Sequence, residues 1–260
     1  MSNIRWSGIS QLQRREYLPA DREPVVSFTF DDFPRSALEV GGAVLRSYGA
    51  NGTYYAAMGL MGLTRGVGEQ PCAEDLKQLL VDGHELGSHT FSHLSCRSTP
   101  LKVYQADAQK GREAVVNLTD KAWPHHFCYP YGHFTRRVIR RVSTGMTTCR
   151  CTIGGINVSP LNLHLLRANN LYSDTFDSGV IEQLFRITIQ RRGWLIFYTH
   201  DIRDAPSSWG CRPAQFETVV RLAARMGVRI LTVSGALEAF GMGTLSNARE
   251  GKVLDGLCST

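Results

Sequence analysis

The chain has 260 residues, of which 43% are hydrophobic and 20% are charged, and its formal net charge is +6. This composition excludes an intrinsically disordered chain, and the length fits one large domain or two small ones. The longest stretch without a charged residue, 47–64, contains polar residues and several glycines, so it falls far short of the roughly 20 apolar residues of a membrane-spanning helix. We therefore expect a globular protein without a membrane span.

The N-terminal segment, the cysteines and the basic residues each exclude a class of protein. Residues 1–22 lack the apolar run of a secretory signal, so we expect a cytoplasmic protein. The cysteines are odd in number and include no Cys-x-x-Cys pair, which favours reduced thiols over disulfides or a thiolate zinc site. They lie at positions 72, 96, 128, 149, 151, 211 and 258. The basic residues are dispersed, so we expect no nucleic-acid partner.

Short β-branched or aromatic runs alternate with helical patterns, which is typical of βα units around a parallel sheet. This predicts an α/β fold with seven strands, at residues 25–30, 53–57, 85–89, 126–129, 146–152, 195–199 and 229–233. Helices are predicted at residues 36–48, 74–82, 100–118, 135–142, 180–191, 213–225 and 234–240. Ser36 and Glu39 predict a capping box for the first helix, and residues 154–177 are too irregular to assign. We expect a single domain over 25–240, between an N-terminal extension, 1–24, and a C-terminal tail, 241–260.

Polar side chains follow four of the predicted strands at the point where each strand ends. The segments are TFDD at 29–32, HTFSH at 89–93, YPYG at 129–132 and HD at 200–201. The loops after the strands of such a barrel converge on one mouth, and its working residues lie there. The sequence therefore predicts that these four segments meet.

Asp31, Asp32, His89 and His93 suggest a metal site. Adjacent carboxylates often cap a turn, but at the end of an apolar strand they repel each other unless they share a cation or a proton. Histidines four residues apart can be two surface residues, or they can face one point on a tight loop. Together with one carboxylate they would leave coordination positions open, as in a catalytic zinc site, and non-haem iron takes the same donors.

His200 follows an apolar run that predicts a buried strand, so it should emerge at the mouth beside Asp201. It fits either a general acid or a structural histidine whose hydrogen bonds are satisfied. Cys149 and Cys151 alternate along a predicted strand and are expected to pack rather than bind a metal. The other histidines show no ligand spacing; they are His84, His125, His126, His133 and His164.

The four segments, in this order, resemble the NodB homology domain of carbohydrate esterase family four, the polysaccharide deacetylases. The resemblance covers residues 25–240 and implies a distorted (β/α)7 barrel. It further implies that Asp31 is the general base and His200 the general acid. By the same resemblance, Asp32, His89 and His93 hold a divalent metal, commonly zinc.

The chain departs from this family at three places. Cys128 stands where the family carries an arginine that pairs with the catalytic aspartate. The Asp-Trp pair of a further motif has no match at 154–167, and Arg167 is the expected replacement. Tyr198 stands where the family has a leucine that walls the acetyl pocket, so we expect an altered acyl pocket.

The resemblance implies a hydrolase that removes N-acetyl groups from an acetylated saccharide. The backbone N–H of Tyr131, after Pro130, would stabilise the oxyanion, while Tyr131 and Trp209 could stack on a sugar ring. Three alternatives remain open: an O-acetyl esterase or deformylase at the same site, a metal-free sugar-binding module, and an iron and 2-oxoglutarate oxygenase. The last usually rests on an antiparallel jelly roll, which the alternating strands and helices disfavour.

Overall fold

The structure is a computed structural model that describes residues 15–120 and 125–242. Within these residues, eight parallel strands form one sheet: β2 (Val25–Asp31), β3 (Thr53–Ala56), β6 (Glu85–Ser88), β7 (His126–Cys128), β8 (Thr148–Arg150), β10 (Asn169–Asn170), β11 (Trp194–Thr199) and β12 (Arg229–Ile230). Their order in the sheet is β10-β11-β2-β3-β6-β7-β8, with β12 paired to β2. The shorter strands are β1 (Arg15–Glu16), β4 (Thr64–Arg65), β5 (Gly68–Glu69) and β9 (Leu161–Asn162).

The two edges of the sheet are joined by the segment 163–166. The Cys149 amide donates to the Leu163 carbonyl over 2.7 Å, and the Leu166 amide donates to the Cys149 carbonyl over 2.9 Å. The chain then continues into β10, which pairs with β11. This closure confirms the predicted distorted (β/α)7 barrel, and it lies inside the region that the sequence left unassigned.

Most helices cover the outer face of the sheet, where their apolar stripes are buried, whereas the last helix packs with Val25, Trp194 and Ile196 at the amino end of the barrel. They are α1 (Ala43–Ser47), α2 (Ala73–Val81), α3 (Leu101–Thr119), α4 (Arg136–Val142), α5 (Ser178–Gln190), α6 (Pro213–Arg225) and α7 (Val233–Ala239). Each predicted helix and strand is present, with ends that differ by a few residues. No helix in the described part of the chain is long and apolar enough to span a membrane.

The predicted capping box at Ser36 is wrong. The chain enters α1 through a π-helical turn, Ala37–Gly42, and the Ser36 side chain makes no capping hydrogen bond. Glu39 instead pairs with Arg35 over 3.5 Å. The end of this turn packs closely, because a Cβ on Gly41 would stand 2.7 Å from Cδ1 of Ile202.

Strand β2 is buried along its whole length, as expected for a parallel strand covered on both faces. Val26, Phe28 and Phe30 belong to the core cluster under the helices. Because side chains alternate along a strand, Asp31 lies on the opposite, inner face. The sequence pattern of β2 thus places one carboxylate inside the barrel at its carboxyl end.

Part of the predicted N-terminal extension is described. Strand β1 pairs antiparallel with β9, so residues 15 and 16 lie against the barrel. Residues 1–14 and 243–260 lie outside the described residues, and with them most of the expected tail and Cys258. The six described cysteines are free thiols.

Candidate active site

Asp31 and Asp32 end strand β2, and both are buried. In a continuing strand they would face opposite sides of the sheet, but Asp32 has φ 42°, which turns the chain. The Asp32 amide donates to the Tyr55 carbonyl over 3.2 Å, and the Gln70 side chain donates to the Asp32 carbonyl over 3.1 Å. The turn is therefore fixed by strand β3 on one side and by the segment after β5 on the other.

His89 and His93 lie on the loop after β6, and their ring centroids are 4.8 Å apart. Nδ1 of His89 is 2.8 Å from the Cys128 carbonyl, which can only accept, so Nδ1 carries the proton and the lone pair is on Nε2. Burial lowers the pKa of His89 to about 3, with a smaller contribution from His93. His89 is therefore neutral near pH 7 and able to act as a ligand.

The loop that carries the two histidines is held by helix α3. The amides of Phe91 and Ser92 donate to one carboxylate oxygen of Asp107, over 3.1 and 3.0 Å. A Cβ on Gly111 would stand 2.5 Å from the Thr90 carbonyl, so only glycine lets the helix approach this closely. His93 itself has φ 54°, a strained conformation that these contacts sustain.

The pKa of His93 is lowered, first by burial; Asp32 acts in the opposite direction, and the charge of Arg65 adds to the lowering. The pKa of His200 is also lowered by burial, while the charges of Asp31 and Asp32 act to raise it. The charges of the two carboxylates thus reach His93 and His200 alike. The structure accordingly brings three of the four predicted strand ends, those with Asp31, His93 and His200, to one mouth.

Asp201, beside His200, shapes a loop. Its carboxylate accepts from the Ser207 amide over 2.8 Å and from Nε of Arg203 over 2.7 Å. The carbonyl of Trp209 in this loop accepts from the His200 amide over 3.1 Å. The hydrogen bonds of Asp201 thus stabilise the loop that carries Trp209 beside the mouth.

Arg150 is the residue that sequence reasoning missed. Its Nη2 donates to Oδ2 of Asp31 and lies 2.6 Å from Sγ of Cys128. Its guanidinium carbon lies 5.3 Å from the ring centroid of Tyr55 and 4.9 Å from that of Tyr198. This fully buried arginine reaches Asp31 from strand β8, next to β7, where the small side chain of Cys128 leaves it room.

The expectation that Arg167 would take this role is therefore corrected. Arg167 is exposed, and its Nη1 donates to the Gly154 carbonyl over 2.8 Å. A signal for Arg150 was present in the sequence, since it is a single arginine between two cysteines of a predicted buried strand. Such an arginine needs a buried partner, although the sequence does not say which one.

The Arg150 ion pair decides the charge of Asp31. Burial acts to raise the pKa of Asp31, but Arg150, His89 and His200 outweigh it, so the pKa lies below its ordinary value. Asp31 is thus ionised near neutral pH. Its Oδ2 is occupied by Arg150, whereas its Oδ1 is buried without a hydrogen-bond partner.

Two exposed aromatic rings flank the mouth. Tyr131, in the turn Pro130–Gly132, is 58% exposed, with its centroid 4.6 Å from that of His93 and its φ at 58°. Trp209 is 52% exposed, with its centroid 6.4 Å from that of His200. The ring of Tyr198 lies deeper, 5.6 Å from Tyr172. The site is therefore open between two rings.

The donor set fits a divalent metal. Four buried atoms of the cluster lack a hydrogen-bond partner: Oδ1 of Asp31, Oδ1 of Asp32, Nδ1 of His93 and Nδ1 of His200. Unpartnered buried polar atoms are costly unless a further group satisfies them. Two carboxylates and neutral imidazoles are donors that zinc and related ions accept.

Another triad in the described part of the chain lies closer together, because the ligand atoms of Asp31, His89 and Cys128 are all within 4.8 Å of one another. Arg150 occupies the Asp31 carboxylate. Burial raises the pKa of Cys128 well above its ordinary value, and its Sγ lies 3.5 Å from Oδ2 of Asp31. Because Arg150 occupies Asp31, we favour Asp32 over Asp31 as the carboxylate ligand of a metal.

Comparison with known proteins identifies the family of this chain. Residues 19–148 match the family described as polysaccharide deacetylase. A chitooligosaccharide deacetylase of Azorhizobium caulinodans is 23% identical over 201 residues, which are 76% of this chain and 84% of that protein.

Two solved structures share the fold. One is a family 4 acetyl xylan esterase from Clostridium thermocellum in complex with a cobalt ion, with TM-score 0.56, 16% identity, and coverage of 82% of this chain and 90% of that one. The other is a family CE4 pseudoenzyme from Bacillus anthracis, with TM-score 0.56, 13% identity, and coverage of 84% and 66%.

Proposed function

Because this chain belongs to the polysaccharide deacetylase family, we propose that it is a metal-dependent hydrolase that removes N-acetyl groups from an acetylated saccharide. The observation that carries the proposal is the arrangement of Asp31, with one oxygen paired to Arg150 and the other free, among three histidines at one mouth. The related chitooligosaccharide deacetylase supports a chito-oligosaccharide or a similar amino sugar as the substrate class.

Asp32, His89 and His93 would hold the metal, and zinc is the ion we propose. A bound divalent cation supplies a Lewis acid that polarises the acyl carbonyl and makes water more acidic. The Nδ1–H···O hydrogen bond from His89 to Cys128 fixes the ring so that Nε2 is available. The cobalt ion of the esterase with the same fold is in line with such a site.

Asp31 would act as the general base through Oδ1, taking the proton of the attacking water. Arg150 keeps the carboxylate ionised and fixes its orientation through Oδ2. The lowered pKa makes Asp31 a weak base, so its contribution comes from position more than from basicity. Arg150 is on this view a positioning residue, because it acts through Asp31.

His200 would act as the general acid. An amine leaves only when it is protonated, so His200 must deliver a proton as the carbon–nitrogen bond breaks. Asp31 and Asp32 favour its protonated form against the effect of burial. The backbone N–H of Tyr131 would stabilise the oxyanion, since the turn after Pro130 presents Tyr131 in a left-handed conformation.

Tyr131 and Trp209 would bind the sugar by stacking on its apolar face, as their exposure allows. Tyr198 would wall the acyl pocket. Because Tyr198 is itself packed between Arg150 and Tyr172, we expect a pocket that takes only a small acyl group.

The second candidate is an O-acetyl esterase, which the acetyl xylan esterase with the same fold favours. A deformylase is the third use of the same site. The pseudoenzyme shows that this fold can lack activity, so a sugar-binding barrel is the alternative outcome.

A substrate panel tests the proposal. Protein loaded with Zn²⁺ is incubated with N-acetylated chito-oligosaccharides, O-acetylated xylan and an N-formylated amino sugar, and released acetate or formate is measured. We expect acetate from the N-acetylated sugars. Release only from the ester or only from the formamide would favour the second or third candidate, and no release from any would contradict the enzyme assignment.

A further inference from the structure

An insertion after strand β3 stands at the rim of the mouth; we call residues 58–72, with β4 and β5, the rim hairpin. Its first limb is anchored by the Gly59 amide, which donates to the Phe91 carbonyl over 2.8 Å. Its second limb is anchored by the Gln70 side chain on the Asp32 carbonyl, over 3.1 Å. The rim hairpin therefore touches both loops that carry the proposed metal ligands.

The tip of the rim hairpin presents Arg65. This side chain is exposed, and within residues 15–120 and 125–242 no acidic group pairs with it. Arg35, by contrast, contacts Glu39, Glu69 and Asp75. The positive charge of Arg65 beside the mouth is thus not neutralised by a described acidic group, whereas that of Arg35 is.

A second arginine approaches the same point. Arg65 is the cross-strand partner of Gly68, and a Cβ on Gly68 would stand 3.9 Å from Nη1 of Arg203. Nε of Arg203 is fixed by Asp201, which leaves its Nη groups on the side of the rim hairpin. Apart from its chain neighbours, no described atom lies within 4 Å of the Cβ position of Gly66, so the tip of the rim hairpin next to Arg65 is open.

We propose that Arg65 and Arg203 bind an anionic group, a phosphate or a carboxylate, carried by the acylated sugar. The inference deepens the proposed function and rests on it. Guanidinium groups bind such oxyanions through two parallel hydrogen bonds, and the net charge of +6 attracts an anionic substrate. The rim hairpin then determines substrate class, while the mouth performs the hydrolysis.

Substrates that differ in charge test the proposal: N-acetylglucosamine, its 1-phosphate, and N-acetylmuramic acid, which carries a carboxylate. We expect the wild-type kcat/KM to be roughly tenfold higher for at least one charged sugar than for the neutral one. Arg65→Gln should abolish this preference by raising KM for the charged sugar far more than KM for the neutral one. The two charged sugars decide between phosphate and carboxylate.

The matched control is Arg229→Gln, which removes an exposed arginine at the opposite end of the barrel, where it pairs with Glu23. It should keep the preference, and added salt should weaken the preference in the wild type. Equal kcat/KM for charged and neutral sugars, or a preference that survives Arg65→Gln, would overturn the inference while leaving the deacetylase assignment intact.

If no sugar releases acetate, the proposed function fails, and binding still tests the arginines. Isothermal titration with N-acetylglucosamine 1-phosphate, N-acetylmuramic acid and N-acetylglucosamine is then compared between wild type and Arg65→Gln. Tighter binding of either charged sugar that is lost in the variant supports the anion site, and equal binding of all three overturns it.

Discussion

Asp31 with Arg150 and Glu85 with His126 lie at opposite ends of the barrel, and the two contacts differ in how completely their atoms are satisfied. At the carboxyl ends of the strands, Arg150 pairs with Asp31, but Oδ1 of Asp31 has no partner. At the amino ends, Glu85 and His126 pair over 3.3 Å, and neither has an unpartnered atom.

The pair at the amino ends belongs to a closed network. Glu85 accepts from the Thr53 hydroxyl over 2.7 Å and from the amides of Val233 and Ser234, which begin helix α7. Both ring nitrogens of His126 lie 2.8 Å from hydroxyl groups. This end is complete in itself and stabilises the fold, whereas the other end keeps unpaired atoms and left-handed backbone for a ligand.

The sharpest test of this contrast is Asp31→Asn. Losing the base should reduce acetate release by about 10³-fold, while elemental analysis finds the metal retained. The companion variant Asp32→Asn should lose bound metal as well as activity. Full activity of Asp31→Asn would place the base elsewhere.

Arg150→Lys should reduce kcat by roughly 10²-fold, because a misplaced carboxylate is a poor base. The hydrogen bond from the guanidinium that opposes the effect of burial on Asp31 is then lost. The pKa of Asp31 therefore rises, and the acid limb of the pH–rate profile moves to higher pH. Arg167→Lys is the control and should leave both kcat and the profile unchanged. Identical behaviour of the two variants would contradict the role given to Arg150.

Glu85→Gln should lower the free energy of unfolding by about 2 kcal/mol, because it removes the charged acceptor of the hydrogen bonds from Thr53, Val233 and Ser234. Burial alone would raise the pKa of Glu85, but His126 and the hydrogen bonds lower it to about 2. A depressed native pKa means that the stabilisation is present above the unfolded value, near 4.3, and is lost as the pH falls towards 2.

Urea unfolding at several pH values checks this. The wild type should lose stability over that acid range, and Glu85→Gln should lose less, while its kcat at pH 7 stays near the wild-type value. A fall in kcat without a fall in stability would erase the distinction between the two ends.

The smallest effect is expected at the aromatic rim. Trp209→Ala should raise KM for an N-acetylated oligosaccharide by roughly threefold to tenfold, with kcat unaffected, since one stacking contact is lost. Tyr17→Ala, at another exposed ring, serves as the control. An unchanged KM would contradict the proposal that Trp209 stacks on the sugar.

The sequence predicted the regular elements and four of the strand-end segments because these depend on local periodicity and on where a strand ends. It did not predict the rim hairpin, whose strands have two residues each and show no period. The role of Arg150 was also hidden, because its partner lies 119 positions away and the contact depends on strand order. At Ser36 the local capping signal misled, because the backbone is already helical there and the side chain makes no capping hydrogen bond.

The close approach of Gly111 to Thr90 makes the protein vulnerable at a position remote from any substrate. A single methyl group there would push a nineteen-residue helix away from the loop of the two histidines. In a saturation screen scored by turnover, position 111 should tolerate substitution as poorly as His89 and His93. Calorimetry on Gly111→Ala would show whether the variant loses thermal stability as well as activity.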